Sequence, residues 1–188
     1  MKELANLLYK DAHFCQRCGN KLEIKADFEH KLRAICENCG FVLYRNPIPA
    51  VAILVLNEQN EILLIKRGIE PQIGMWALPS GYAEIFMTPE ENAIAELKEE
   101  TGLDGEITRF IDWFFGYSPI YYRVLSLGFR MQITGGTLKA GDDATDARFF
   151  PINALPEIAF AAHRHFINCE TGLKLKVNNY TLQGEPIP

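Results

Sequence analysis

No stretch of 18 consecutive apolar residues occurs in this 188-residue chain, so a membrane-spanning helix is not expected. The first residues, MKELANLLYKDAHF, lack the long apolar run of a secretory leader, and a cytoplasmic location is the default expectation. Positive charge is also scarce. The net charge is −5 and no dense Lys/Arg patch exists, so nothing draws the chain to nucleic acid in general, and nucleic acid is not expected as a partner. Up to Pro49 there are 8 basic and 6 acidic residues, and beyond it 11 and 18, so the acidic character belongs to the larger C-terminal part. Internal repeats and low-complexity segments are absent as well. What is present is a hydrophobic fraction of 48%, enough for one packed domain with a small attachment.

Four of the five cysteines stand in the first quarter of the chain, as C-x2-C-x17-C-x2-C: Cys15, Cys18, Cys36 and Cys39. A glycine follows each pair, in FCQRCGN and ICENCGF. Two such knuckles are a strong zinc-ribbon signal, and glycine suits the tight turn in which backbone amides point at sulfur. The intervening KLEIKADFEHKLRAI alternates enough for a short hairpin. Four thiolates would close the coordination sphere of a structural Zn²⁺ and leave no position for water. Two disulfides are the alternative, but nothing points to an oxidising compartment. Cys169 stands alone and reads as a helix or loop thiol without a partner.

Two prolines in YRNPIPA, residues 44–50, forbid regular structure and mark a boundary. The expected division is residues 1–46, a zinc ribbon with an N-terminal extension, and residues 47–188, the main domain. AVAILVL and EILLIKR read as buried strands joined by the turn NEQN, and MWALPSGYAE as a short strand and loop. A helix follows. Thr88 and Glu91 form a capping box, Pro89 takes the first helical position and Gly102 ends the helix. GEITRFIDWFFGY, YYRVLSLGFRMQITGG and ARFFPI read as strands, with DDATD as the loop before the last, and PEIAFAAHRHFINCET as a final helix. The fold class is α+β, a sandwich with a mixed sheet.

Glu96, Glu99 and Glu100 stand at i, i+3 and i+4 on the central helix, so all three can project from one face. Like charges so spaced repel, and glutamates near a helix C-terminus oppose its dipole, each effect costing about a few tenths of a kcal/mol. The arrangement makes sense if a hard divalent cation sits among the oxygens. A solvated acidic face is the plain alternative.

The surroundings favour the cation. The segment from Gly81 to Leu103 resembles the signature of the Nudix hydrolases, G-x5-E-x7-R-E-U-x-E-E-x-G-U, where U is bulky and aliphatic. Gly81, Glu96, Leu97, Glu99, Glu100, Gly102 and Leu103 match at unbroken spacing, and Trp76, Leu78, Pro79, Gly81 and Glu84 resemble the family's lead-in. A ribbon ahead of a proline-rich join is similar to the subgroup containing NADH, ADP-ribose and FAD pyrophosphatases. The resemblance implies a Nudix α/β/α sandwich preceded by a small zinc ribbon. It implies metal-dependent hydrolysis of the pyrophosphate bond in a nucleoside diphosphate linked to another moiety, giving AMP and a phosphorylated product. By that resemblance Glu96, Glu99 and Glu100 hold Mg²⁺ or Mn²⁺, and Glu99 and Glu100 are catalytic. Asp146 is the expected base, with Asp142 and Asp143 as alternatives; these aspartates could equally just shape a turn. Arg67, Gly81, Glu84 and Arg123 contact substrate or its ion. Two signature positions depart: Met87 replaces the first Glu and Ala95 the Arg. Losing one member of that ion pair would strand a charge, whereas losing both is nearly neutral.

The family's NADH pyrophosphatases carry an S-Q-P-W-P-F-P-x-S block, absent here; the region reads FIDWFFGYSPIYYRVLSL. Pro119, 16 residues beyond Leu103, is similar to a proline of the ADP-ribose pyrophosphatases. Trp113, Phe114, Phe115, Tyr117, Tyr121 and Tyr122 could stack on adenine or isoalloxazine, or fill a core or a dimer interface. The expectation is a nucleotide small molecule as substrate, ADP-ribose or FAD ahead of NADH, and a homodimer. A module that binds RNA or a protein partner without turnover is the reading from another class.

Overall fold

The glycine that follows each cysteine pair shapes the N-terminal unit. In the computed structural model, which describes residues 2–180 and 186–187, Gly19 and Gly40 adopt positive φ of 74° and 71°. Each donates its N–H to the carbonyl of the first cysteine of its pair, Cys15 at 2.8 Å and Cys36 at 2.9 Å. The Arg17 amide then points at Cys15 Sγ, 3.4 Å away. This unit, Met1–Asn46, holds helix α1 (Lys2–Leu8) and strands β1 (Glu23–Ala26), β2 (Leu32–Ile35) and β3 (Val42–Leu43), paired antiparallel in that order. Asp27 shapes the β1–β2 turn by accepting from the Glu29 and Lys31 amides and from Arg33 Nε. The unit's core is slight: Ala5, Tyr9 and Ala34. The four sulfurs converge, with Cys15 3.6 Å from Cys39 and Cys18 3.5 Å from Cys36, and no disulfide forms. Tetrahedral Zn²⁺ with Zn–S near 2.3 Å sets sulfurs about 3.8 Å apart, so the thiols fit that ion.

The second unit, Pro47–Pro188, is built on two strands that are buried on both faces. These are β4 (Ile48–Val55) and β5 (Glu61–Arg67); β6 (Trp76–Ala77), β7 (Ser80–Tyr82) and helix α2 (Pro89–Thr101) follow. Then come β8 (Leu103–Ser118), β9 (Tyr122–Gly136), β10 (Ala144–Pro151), helix α3 (Ala161–Thr171), β11 (Asn179–Tyr180) and β12 (Pro186–Ile187). One sheet runs β7-β4-β9-β8, with β4 parallel to β9 and the other pairs antiparallel; a second runs β10-β5-β6. Side chains alternate across a strand. Val51, Ile53, Val55 and Leu63 therefore pack with Ala93 and Leu97 of α2, while Ala52, Leu54, Ile62 and Leu64 pack with Ala162, Phe166 and Ile167 of α3. The architecture is an α/β/α sandwich with a mixed sheet.

Helix α2 begins and ends on local signals. Thr88 accepts from the Glu91 amide, the Glu91 carboxylate accepts from the Thr88 amide at 2.8 Å, and Gly102 caps the other end at φ 70°. Three elements differ from expectation. Strand β4 begins at Ile48 and runs through Pro49, whose carbonyl accepts from the Ala83 amide at 3.0 Å, so the prolines at 47 and 49 do not exclude regular structure. The final helix starts at Ala161, not Pro156, because the Ala159 amide bonds the Trp76 carbonyl at 2.8 Å and holds that segment extended against β6. Strand β10 starts at Ala144, so Asp146 lies in the strand, opposite Lys66, and not in a loop.

Candidate active site

Three segments meet at the C-terminal half of α2: the strip 78–81, the loop 137–143, and the end of β5. The strip is pinned from both sides. The Ser80 amide donates to Glu100 Oε2 at 2.8 Å, and the Leu78 amide donates to His163 Nδ1 of α3 at 3.1 Å. The loop wraps the helix end, with the Lys139 amide on the Thr101 carbonyl and the Gly141 amide on the Glu100 carbonyl, at 2.9 and 3.1 Å. The Gly68 amide ties β5 to the same loop through the Asp143 carbonyl, 2.7 Å away.

These contacts crowd acids together. Glu100 is 3% exposed, and its carboxyl is pushed up to about 8. Burial is the main cause and Glu96 and Asp142 add to it, against the Ser80 amide and the Arg67 charge. Glu96 is half-buried and raised to about 7, first by burial, then by the charges of Glu99, Asp142, Asp143 and Glu84. Lys98 does not relieve them, since its ammonium pairs with Asp104 at 2.7 Å. The three helix glutamates do not close into one tight donor set: among the described residues, the trios whose donor atoms all lie within 4.8 Å of one another do not include them. Glu100 turns inward to Ser80 while Glu99 faces solvent. The result is a broad acidic basin, and hard oxygens so spread suit a cation that keeps waters and shares phosphate oxygens.

Gly81 makes room for this basin. A methyl group on its α-carbon would overlap the Glu96 carboxylate. Gly81→Ala is expected to swing Glu96 away, lowering kcat about 10- to 100-fold with little loss of stability, as steady-state kinetics beside thermal melts would read.

Arg67, at the end of β5, reaches the basin with its charge, which acts on Glu100, while its Nε is held by the Pro71 carbonyl at 2.7 Å and its guanidinium lies over the Phe160 ring at 5.0 Å. Tyr82, next to Gly81, meets Tyr121 edge to face at 5.4 Å. Glu84 is exposed and adds its charge to Glu96. Two expected residues are engaged elsewhere. The Arg123 guanidinium bonds the Tyr180 carbonyl at 2.8 Å and lies over Phe115, and the Asp146 carboxylate pairs with Arg148. Met87 is 38% exposed beside the exposed Ile85 and Phe86, so the substitution of the signature pair leaves an apolar side chain partly in water.

Two contributors escaped sequence reasoning. Asn92, 2% exposed, accepts from the Glu84 amide and donates to the Thr88 carbonyl, both at 2.9 Å, and so shapes residues 84–88. His163 is buried and depressed to about 3, first by burial and then by Arg67 and Arg164, so it stays neutral and accepts from Leu78. Its folded value lies below the unfolded one, so its contribution is present above about pH 6.5 and is lost as pH falls toward the folded value. His163→Leu is expected to orphan the Leu78 amide and cost about 1–3 kcal/mol, measured by urea unfolding at pH 7.

A model of the NUDIX domain matches residues 46–168, and a model described as Nudix N-terminal, a zinc ribbon, matches residues 13–45. The chain is 43% identical over 115 residues to an ADP-ribose pyrophosphatase of Methanocaldococcus jannaschii, covering 60% of this chain and 68% of that protein. It is 29% identical over 148 residues to the NAD-capped RNA hydrolase NudC of Vibrio atlanticus, covering 78% of this chain and 52% of that one. The chain thus spans about half the length of that relative. A crystal structure of a NUDIX hydrolase from Nitrosomonas europaea superposes with a TM-score of 0.72 at 28% identity, over 84% of this chain and 90% of that one.

Proposed function

This chain belongs to the Nudix hydrolase family, and on that premise we propose that it hydrolyses the pyrophosphate bond of ADP-ribose or FAD, releasing AMP and a phosphorylated product. The observation that carries the reading is the basin at the end of α2. Two of its acids are raised by burial and mutual repulsion, and among the described residues Glu96, Glu99 and Glu100 make no salt bridge. Glu96, Glu99 and Glu100 would hold Mg²⁺ or Mn²⁺. When bound, such a cation screens the pyrophosphate charge and acidifies a water.

The chain's own residues supply the rest. The Ser80 amide fixes Glu100, and Gly81 leaves Glu96 free to face the basin. Arg67, steadied by the Pro71 carbonyl, offers a cation to phosphate oxygens. Glu84 adds a further carboxylate at the rim. Asp142 is the better supported base, since its charge reaches both Glu96 and Glu100 while Asp146 is held by Arg148. Arg123, engaged by Tyr180, would reach substrate only after leaving that contact. Tyr82 and Tyr121 offer ring faces for a base.

The four ribbon thiols would hold a structural Zn²⁺, with residues 1–46 as the ribbon and 47–188 as the hydrolase domain. A cytoplasmic setting, where thiols stay reduced and available to the metal, belongs to the same proposal. The exposed Phe110, Trp113 and Phe115 on edge strand β8 support a homodimer. NADH is the second candidate substrate, and the similarity to a protein named for hydrolysing NAD-capped RNA supports a dinucleotide of that type.

The test is AMP release from ADP-ribose, FAD, NADH and dinucleoside polyphosphates, with and without Mg²⁺. Cation-dependent turnover of ADP-ribose or FAD at the highest kcat/KM is expected. Tight binding of any of them without product would mark a binding module instead.

A further inference from the structure

Away from the acidic basin, three side chains of different chemistry meet between β8 and α3. Asp112 comes from the strand, and His165 and Cys169 stand four residues apart on one face of the helix. His165 Nε2 lies 2.9 Å from Asp112 Oδ2 and 3.7 Å from Cys169 Sγ, and the three donor atoms are all within 4.8 Å of one another. Cys169 is therefore not the solitary thiol that its place in the sequence suggests.

We propose that Asp112, His165 and Cys169 form a second site for a borderline-soft divalent cation, Zn²⁺ by preference, separate from both the ribbon and the hydrolase basin. The geometry discriminates against a nucleophilic relay. In a relay, the carboxylate and the nucleophile use opposite ring nitrogens. Here oxygen and sulfur converge on the same nitrogen, as donors do around a shared ion.

The spacing also fits. Tetrahedral Zn²⁺, with bonds near 2.05 Å to nitrogen and oxygen and 2.3 Å to sulfur, separates N and S by about 3.6 Å and N and O by about 3.3 Å. The first matches the observed 3.7 Å, and the second needs Asp112 to open its 2.9 Å hydrogen bond by about half an ångström. The ribbon sulfurs, at 3.5 and 3.6 Å, stand equally close to their own ideal. One thiolate, one imidazole and one carboxylate are donors that Zn²⁺ accepts together.

Access is open. Cys169 is exposed, and the Asp112 and His165 side chains are 41% and 29% exposed, so a cation can enter and keep water in a fourth position. Arg109 is paired with Glu170, and Asp112 Oδ1 accepts from the Trp113 amide at 2.8 Å, which leaves Oδ2, the oxygen facing His165, to serve the ion. Bound metal would add a further link between edge strand β8 and α3, beside the Arg109–Glu170 pair and the Phe114 ring against His165.

Cobalt(II) is the probe. The full-length chain with zinc in its ribbon is titrated with Co²⁺, and the near-ultraviolet thiolate-to-cobalt band is followed. Oxygen ligands alone give no such band, so the carboxylate basin stays silent. A band that saturates at one equivalent and is bleached by added Zn²⁺ is expected. It should vanish in Cys169→Ser and weaken at least about tenfold in apparent affinity in His165→Gln and Asp112→Asn. Retained hydrolysis, to which none of the three contributes, reports that each variant is folded. A titration in Cys169→Ser that matches the unsubstituted chain, or no band in either, overturns the proposal.

Discussion

Glu100→Gln is expected to abolish most turnover while making the metal-free protein more stable. The two effects have opposite signs because one property causes both. Glu100 is 3% exposed and its carboxyl sits at about 8, far above its ordinary 4.5. Glutamine keeps an oxygen for the Ser80 amide, so the local hydrogen bond survives. It cannot carry the charge that a hard cation needs. Losing several kcal/mol of transition-state stabilisation corresponds to a fall of about 10²–10³-fold in kcat. Glu99→Gln should lose a comparable amount of activity without the stability gain, because Glu99 faces solvent. Near-normal rates in either variant would remove these residues from the metal site.

The stability gain carries a pH signature. The folded state holds the Glu100 proton up to about pH 8, whereas the unfolded chain releases it near 4.5. Between those limits the native state binds more protons, so its stability falls as pH rises, by up to about 1.4 kcal/mol per pH unit. Glu96, raised to about 7, adds to the fall over the lower part of the window. Melting temperatures of the metal-free protein should therefore decline from pH 5 to pH 8, and less steeply in Glu100→Gln. Added Mg²⁺ binds the ionised form and should recover more at pH 8 than at pH 5.

Removing zinc from the ribbon is expected to unfold residues 1–46 outright. The unit's buried apolar side chains centre on Ala5, Tyr9 and Ala34, too few to offset the chain entropy of a segment this short. Metal binding in comparable small modules supplies about 10–16 kcal/mol of apparent free energy. Chelation, or Cys36→Ser at a position with no solvent exposure, should expose this segment to protease while the larger unit stays resistant. Unchanged protection, after elemental analysis has confirmed that the zinc is gone, would show that the hairpin stands without it.

Local signals were legible in the sequence. Thr88, Pro89, Glu91 and Gly102 fixed both ends of α2 because caps act within one turn. The ribbon spacing likewise brought four sulfurs together. Long-range contacts were not legible. The partner of Leu78 is His163, 85 residues away, and no periodicity encodes that hydrogen bond. Pro156 and the apolar residues after it suit a helix, so the sequence alone places the start of α3 ahead of Ala161. Their backbone instead completes the edge of β6, a choice made by tertiary pairing. The acids beside Glu96 were legible as residue types, yet only the fold distinguishes Asp142 and Asp143, whose charges raise Glu96, from Asp146, turned to Arg148.

The strip from Leu78 to Gly81 is anchored to one helix layer through His163 and to the opposite layer through Glu100. Chemistry on one side of the sandwich is thereby mechanically coupled to packing on the other. Slack introduced around Phe166 or Ile167, well behind the sheet, would travel along this tether and blur the carboxylate geometry. Repacking of that rear layer, and not only edits to the acids themselves, is thus a lever on catalytic rate.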